Sequence, residues 1–265
     1  MSFIEFEDKP EYYTRIAMSI IGVGSYGINA INKLKQDGIC DVKYGSVNCE
    51  NKNIENLNEL VRRADVVFII ADISSDFSVK TISELTDLCE NKSRIMILIL
   101  RMLGGYRLSD NLLINELKGL SDILFIISSQ KPWQKYKQVY CCVKALTDFC
   151  GSRIGLINTG LKDMAGSIRN AGIGYIGFGE TKGENAIDKA TDKAIESLEN
   201  NEKLQNASSI IATISCQDCS MENTLPFFGK IGQKISGTVN FNYNIYPNDS
   251  VSDFCSVIIL AMGYK

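Results

Sequence analysis

The chain contains no histidine among its 265 residues. That absence removes Ser-His and Cys-His nucleophile pairs and every imidazole metal ligand. Chemistry here must run on carboxylates, lysine, cysteine or bound ions. Long apolar runs are missing as well. Among the longest is Ile95 to Leu100, far short of the roughly 20 residues a membrane helix needs. Direct membrane insertion is therefore not expected. Basic residues are not in excess: the formal net charge is −3, so no global basic field draws in nucleic acid or anionic lipid. Met1 to Pro10 lack the basic start and apolar core of a signal peptide, and residues 1–15 read as a short arm. The nine cysteines are odd in number and unevenly spaced. Without an export signal they are expected as reduced thiols of a cytoplasmic protein. Cys216-Gln217-Asp218-Cys219 has metal-ligand spacing, but no second pair completes four ligands, so it too reads as a reduced pair after a strand.

What is present begins with Ile16 to Ala30, an apolar run ending in Gly22, Gly24 and Gly27 and followed at once by an amphipathic stretch. This reads as strand, tight turn and helix. Glycines let backbone N–H groups approach a ligand, and the positive end of the new helix suits a phosphate. The helix is expected over Ile28 to Asp37, stopped by Gly38.

Strand and helix patterns then alternate. Val42 to Val47 is a strand ending in Asn48-Cys49-Glu50, and Ile54 to Arg63 a helix. Val66 to Ala71 and Arg94 to Leu100 are apolar throughout, as strands buried on both faces are. Asp72 to Lys80 reads as a polar turn, Thr81 to Glu90 as a helix, Gly104-Gly105 as a loop and Leu108 to Gly119 as a helix. Ile123 to Ile127 is a fifth strand, and Pro132 opens a long helix to about Cys150. The pattern predicts an α/β fold, an open parallel sheet with helices on both faces. Ligands on such sheets sit at the carboxyl ends of the strands. Those ends carry Gly22–Gly27, Asn48–Glu50, Asp72–Lys80, Arg101–Gly105 and Ser128–Gln130. The second half differs: Gly172 to Glu180 is a glycine-rich strand, Asn185 to Leu198 a helix, Ala207 to Ser215 a strand, Thr224 to Ile235 a helix, and Val239 to Ile245 and Cys255 to Met262 strands. The expected organisation is an arm (1–15), a Rossmann-like nucleotide-binding-type α/β domain (16–131), a central helix (132–150) and a smaller α+β domain (151–265).

These blocks, in this order, resemble the FtsZ/tubulin superfamily, and within it FtsZ. Gly22 to Ala30 is similar to the family's first phosphate loop, GVGGGGxNA; Val47 to Glu50 to its VNTD loop; and Ala64 to Ala71 to its ADMVFIxAG strand. Leu156-Ile157-Asn158 and Asp163 fall on its NVDFADV catalytic loop. Ala171 to Ala186 resembles its MGxAxMGxGxxxGExRA segment, and Val257 to Gly263 its VVATG end. The resemblance implies the family's two-part α/β fold and a site for GTP or GDP built by Gly22, Gly24, Ser25, Tyr26, Gly27, Asn29, Asn48 and Glu50. It also implies remnant catalytic positions at Asn158 and Asp163, and head-to-tail assembly with itself or with an FtsZ-like protein.

The departures are specific. Where the family has its GGGTGTG loop, this chain reads Asp72 to Lys80 without a glycine. Cβ atoms obstruct the inward-turned N–H groups such a loop needs, and Asp72 and Asp76 add negative charge that Lys80 partly offsets. The family's guanine-contacting Asn-Asp falls on Lys137-Gln138, and the first catalytic Asp on Gly160. The chain also stops without the family's linker and adaptor-binding tail. The expectation is an FtsZ-like structural protein, filament-forming or partner-binding, with nucleotide binding and GTP hydrolysis weak or lost. A slow GTPase using Gly22 to Gly27 and Asp163 is one alternative. An NAD-binding Rossmann protein, with Glu50 on the ribose, is another. Asn158 and Asp163 also fit plain helix capping, and Trp133 fits packing as well as base stacking.

Overall fold

The computed structural model describes residues 16–50, 54–73, 75–88, 94–101, 112–127, 132–150, 161–198, 201–248 and 254–264. The described strands form a nine-stranded sheet ordered β2-β1-β3-β4-β5-β6-β9-β7-β8. In chain order the strands are β1 (Met18–Val23), β2 (Lys43–Val47), β3 (Val66–Asp72), β4 (Ile95–Arg101), β5 (Ile123–Ile127), β6 (Gly172–Lys182), β7 (Ser209–Cys216), β8 (Asn240–Pro247) and β9 (Phe254–Met262). All pairings are parallel except those that β9 makes with β6 and β7. The helices are α1 (Gly24–Gln36), α2 (Ile54–Arg62), α3 (Asp76–Asp87), α4 (Leu112–Gly119), α5 (Pro132–Cys150), α6 (Leu161–Ile168), α7 (Ala186–Ser197), α8 (Asn201–Gln205) and α9 (Met221–Lys234).

Strands β3, β4 and β5 are buried along almost their whole length. That matches their unbroken Val/Ile/Leu content, because crossover helices cover both faces of a parallel sheet. One core gathers under α1, α5 and α6, including Phe68, Phe125, Val143 and Leu146. It also takes in Ile211, Ile258 and Leu260 from the second half, so the long helix α5 covers strands of both halves. A second core lies between α2, α3 and α4 and the opposite side of β1, β3 and β4. A third joins α7 and α9 to β7, β8 and β9. The glycines of β6 have a packing reason. A Cβ on Gly179 would lie 2.0 Å from the Ala190 carbonyl oxygen, so α7 can rest on this strand only where no side chain intervenes.

Strand β5 hydrogen-bonds β6 over Ile123 to Phe125 against Gly172 to Gly174. Strands of the two halves therefore share one sheet. The short α8 has no counterpart in the sequence reading, and α6 corresponds only to the helix-capping alternative for Asp163. Helix α1 begins at Gly24, four residues ahead of the expected Ile28, because Gly24 to Gly27 already turn as helix. The segment read as a polar turn, Asp72 to Lys80, is helical from Asp76 onward: the Ser75 hydroxyl accepts the Ser78 amide and starts α3. Cys216 and Cys219, expected as reduced thiols, are joined in a disulfide with their Cα atoms 5.8 Å apart. The turn leaving β7 folds back tightly enough to bring the two sulfurs together, a proximity the spacing alone did not reveal. Among the described residues no helix is long and apolar enough to cross a membrane.

Candidate functional site

The carboxyl ends of β1, β2, β3 and β4 lie side by side, with Val23 opposite Val47, Gly22 opposite Ile70, and Asp72 opposite Arg101. Two helices start at this edge. Helix α1 arrives through the glycine turn. A Cβ on Gly27 would sit 2.2 Å from the Ile70 carbonyl oxygen, and one on Gly22 would sit 2.5 Å from the Gly27 carbonyl oxygen. These two glycines are thus required by the close approach of α1 to β1 and β3. Gly24 has φ +68°, a conformation that favours glycine. No side chain caps α1, and its first turn carries no acid. Its leading N–H groups meet the condition for receiving an anion.

The facing wall is built differently. Helix α3 supplies its own cap from Ser75, whose hydroxyl also lies 3.0 Å from that of Ser78, and an acid in its first turn, Asp76. Those groups satisfy or offset the partial charge that a phosphate would otherwise meet. Ser78 Oγ lies 3.3 Å from where a Cβ on Gly24 would be, so α3 closes directly on the glycine turn. Lys80 is turned away: its side chain is 80% exposed and faces Glu84 on the next helical turn at 4.0 Å. The offset to Asp72 and Asp76 expected from Lys80 is absent, because position 80 falls on the outer face of α3.

The charge balance comes instead from Arg101. Its guanidinium donates to Asp72 Oδ2 at 2.7 Å and stacks over the Tyr26 ring, 4.2 Å from the ring centre. Tyr26 stands at one of the glycine positions of the family's phosphate loop. Its phenol is pushed up to about 12, chiefly by burial, with the Arg101 guanidinium pulling it down and the Asp72 carboxylate pushing it up. Among the described residues, the Tyr26 hydroxyl and the Arg101 Nε are buried without a hydrogen-bond partner. The cluster is a ring, a cation and a carboxylate packed against one another between the two helix starts. Sequence reasoning placed Tyr26, Asp72 and Arg101 at strand ends but could not see the stack, which requires α1 and β4 to be brought together across β3.

The other expected positions spread out. Ser25 and Asn29 are exposed on α1. Asn48 and Glu50 follow the end of β2, Asn48 half-buried and Glu50 exposed. Asn158 and Gly160 lie outside the described residues, as do 102–111, 128–131 and the side chain of Trp133. Asp163 is exposed in the first turn of α6, and Asn242 Nδ2 donates to its backbone oxygen at 3.5 Å. Helix α6 leads into the first residue of β6, and Asn242 is near the start of β8. Asp163 therefore lies toward the edge of the sheet where β6 and β8 begin, whereas the glycine turn lies at the edge where β1 ends. On the long helix, Lys137 pairs with Glu180, while Gln138 is buried with its Oε1 unpartnered among the described residues. No group of three or more Cys, Asp or Glu among the described residues is arranged to hold a metal ion.

No protein-family model matches the chain. It is 21% identical over 312 aligned positions to the cell division protein FtsZ of Aquifex aeolicus, covering 96% of this chain and 84% of that protein. Among solved structures it is similar to an FtsZ variant from M. jannaschii, with TM-score 0.80 at 15% identity over 95% of this chain and 92% of the other. It is also similar to the GDP-form protofilament structure of TubZ from Bacillus thuringiensis serovar israelensis, with TM-score 0.64 at 11% identity over 94% and 87% of the two chains. Sequence likeness along nearly the whole chain, joined to a shared fold, makes this protein a homologue of the FtsZ/tubulin superfamily.

Proposed function

We propose that the chain is an FtsZ/tubulin-like structural protein that assembles end to end, with itself or with an FtsZ-like protein, and in which nucleotide binding and GTP hydrolysis are weak or lost. The observation that carries this reading is the Tyr26–Arg101–Asp72 cluster. A polyphosphate entering the cradle would have to separate a partly buried ion pair and a cation–π stack. It would also meet one helix N-terminus already capped. The opposite placement of Asp163 and the glycine turn supports assembly, since a head-to-tail neighbour would bring the two together. The TubZ relative is described as forming protofilaments. A cytoplasmic location accords with this reading.

Sedimentation and negative-stain microscopy, with and without GTP, test it. Polymers that form equally with and without nucleotide are the expected result. A protein that stays monomeric at all concentrations overturns the assembly. Calorimetry against GTP, GDP, ATP and NAD tests the loss of nucleotide binding, because a true ligand raises the melting temperature at saturation.

A second reading, a slow GTPase, is favoured by the uncapped start of α1. It predicts phosphate release from GTP that disappears in Asp163→Ala.

A further inference from the structure

The turn from β7 into α9 holds a feature that the nucleotide cradle does not involve. Cys216 ends β7, Cys219 precedes the cap residue Ser220, and the two sulfurs form a disulfide. The buried thiol of Cys255 is the cross-strand neighbour of Cys216 on β9. A pocket of about 320 Å³ reaches this place, lined by Cys216, Cys255, Asp218, Glu222 and Pro226 among others. We propose that Cys216 and Cys219 form a reversible dithiol–disulfide centre, a redox modification site that restrains the first turn of α9.

The turn is organised for both states. Asp218 accepts from the Ser220 amide at 3.0 Å and from Asn223 Nδ2 at 2.7 Å, which holds the bend whatever the sulfurs do. Cys219 Sγ also lies 3.5 Å from the Tyr246 carbonyl oxygen, so a reduced Cys219 thiol has an acceptor without backbone movement. Cys216 is 3% exposed, whereas Cys219 is partly exposed. Cys219 is therefore the sulfur that exchanges with solution and Cys216 the one that resolves. Cys255 does not compete. Its thiol stays free while the Cys216 and Cys219 sulfurs are joined to each other.

The oxidant is a low-molecular-weight disulfide such as oxidised glutathione. Cys219 loses its proton to solvent and attacks one sulfur, releasing one thiolate. Cys216, deprotonated in turn, attacks the mixed disulfide at Cys219 Sγ and releases the second thiolate. Two electrons pass from the cysteine pair to the external disulfide. The closed loop is very short, with a sequence separation of 3, so its effect is local rather than a large gain in global stability. Locally it matters because Pro226 lies inside α9 and has no N–H to donate the hydrogen bond that would tie the first turn to the next. That first turn and the residue that follows it carry Met221 and Leu225, the exposed large hydrophobic side chains among the described residues.

The full chain is equilibrated in mixtures of reduced and oxidised glutathione, quenched, alkylated and analysed by mass spectrometry. The expected result is joint loss of the two alkylatable thiols at Cys216 and Cys219, restored by reductant, while exposed Cys40 and Cys49 give only mixed disulfides. In Cys216→Ser, glutathione is expected to remain attached at Cys219. A pair that stays fully alkylatable after Cys40 and Cys49 have reacted overturns the proposal, as does a Cys216–Cys255 link. Hydrogen exchange at residues 219–225 is expected to be slower in the oxidised chain than in the reduced one, and this difference is lost in Cys219→Ser. Equal rates in both redox states overturn the restraint.

Discussion

Helices α1 and α3 leave the same edge of the sheet, from neighbouring strands, and begin in opposite ways. Helix α1 starts inside a glycine turn, with no side-chain cap and no acid in its first turn. Helix α3 starts behind Ser75, with Asp76 in its first turn. One start leaves its N–H groups available and the other satisfies them from its own chain. Between the two, Tyr26, Arg101 and Asp72 occupy the approach to the open one. A phosphate cradle needs both walls turned toward the ligand. A glycine motif reports only on the wall that carries it.

The largest expected effect comes from the glycine wall. Gly27→Ala places a methyl group 2.2 Å from the Ile70 carbonyl oxygen. Backbone must move, and a loss of about 3 kcal/mol in urea unfolding is expected. A near-neutral result would mean that the turn is not held by packing and would reopen a ligand-based reason for this glycine.

Alkaline pH examines the material between the walls. The folded protein holds the Tyr26 phenol proton up to about 12, against about 10 in an unfolded chain. The native state therefore binds the proton more tightly. Its contribution is fully present below pH 10 and is lost as the pH rises toward 12, on the order of 2 kcal/mol. Thermal melts between pH 9 and 12 read the slope, and Tyr26→Phe should make it shallower by this share, leaving the part carried by Tyr44, Tyr140, Cys141, Cys150 and Cys255, which burial also raises to about 12. At neutral pH the same substitution removes a buried hydroxyl without a partner among the described residues, so no loss of stability is expected there.

Arg101→Ala removes a charge-assisted hydrogen bond and the stack on Tyr26. It should cost about 1.5 kcal/mol and, by emptying the approach to α1, should raise rather than lower any GTP-induced melting shift. If the shift falls, Arg101 is a phosphate ligand and the reading of the cluster is reversed. Ser75→Ala makes the second wall resemble the first by uncapping α3, with a cost of about 1 kcal/mol. Lys80→Ala should change stability by less than about 0.5 kcal/mol, since Lys80 meets Glu84 only at the surface.

The strand sequences were legible because burial on both faces demands unbroken apolar runs. Ile123 to Ile127 and the helix from Pro132 to Cys150 coincide with the expected bounds. The blocks that carried the family resemblance were legible for the same reason, as strand and turn chemistry. The start of α3 was misread because Ser75, Asp76 and Ser78 have turn chemistry and cap chemistry alike, and only the chain that follows decides between them. The pairing of Cys216 with Cys219 was hidden because two cysteines at that spacing are equally compatible with free thiols.

By itself, the sequence determined the alternation of strands and helices, the location of the glycine turn, and the absence of imidazole chemistry. These follow from local periodicity, from conformational freedom at single residues and from composition. Only the tertiary structure decided that β5 and β6 would join both halves in one sheet, that Asp163 would stand at the far edge from the glycine turn, and that Arg101 would neutralise Asp72 over the ring of Tyr26. Each of these depends on which distant strands become neighbours. That choice is made by burying apolar faces against one another, and no short stretch of chain contains it.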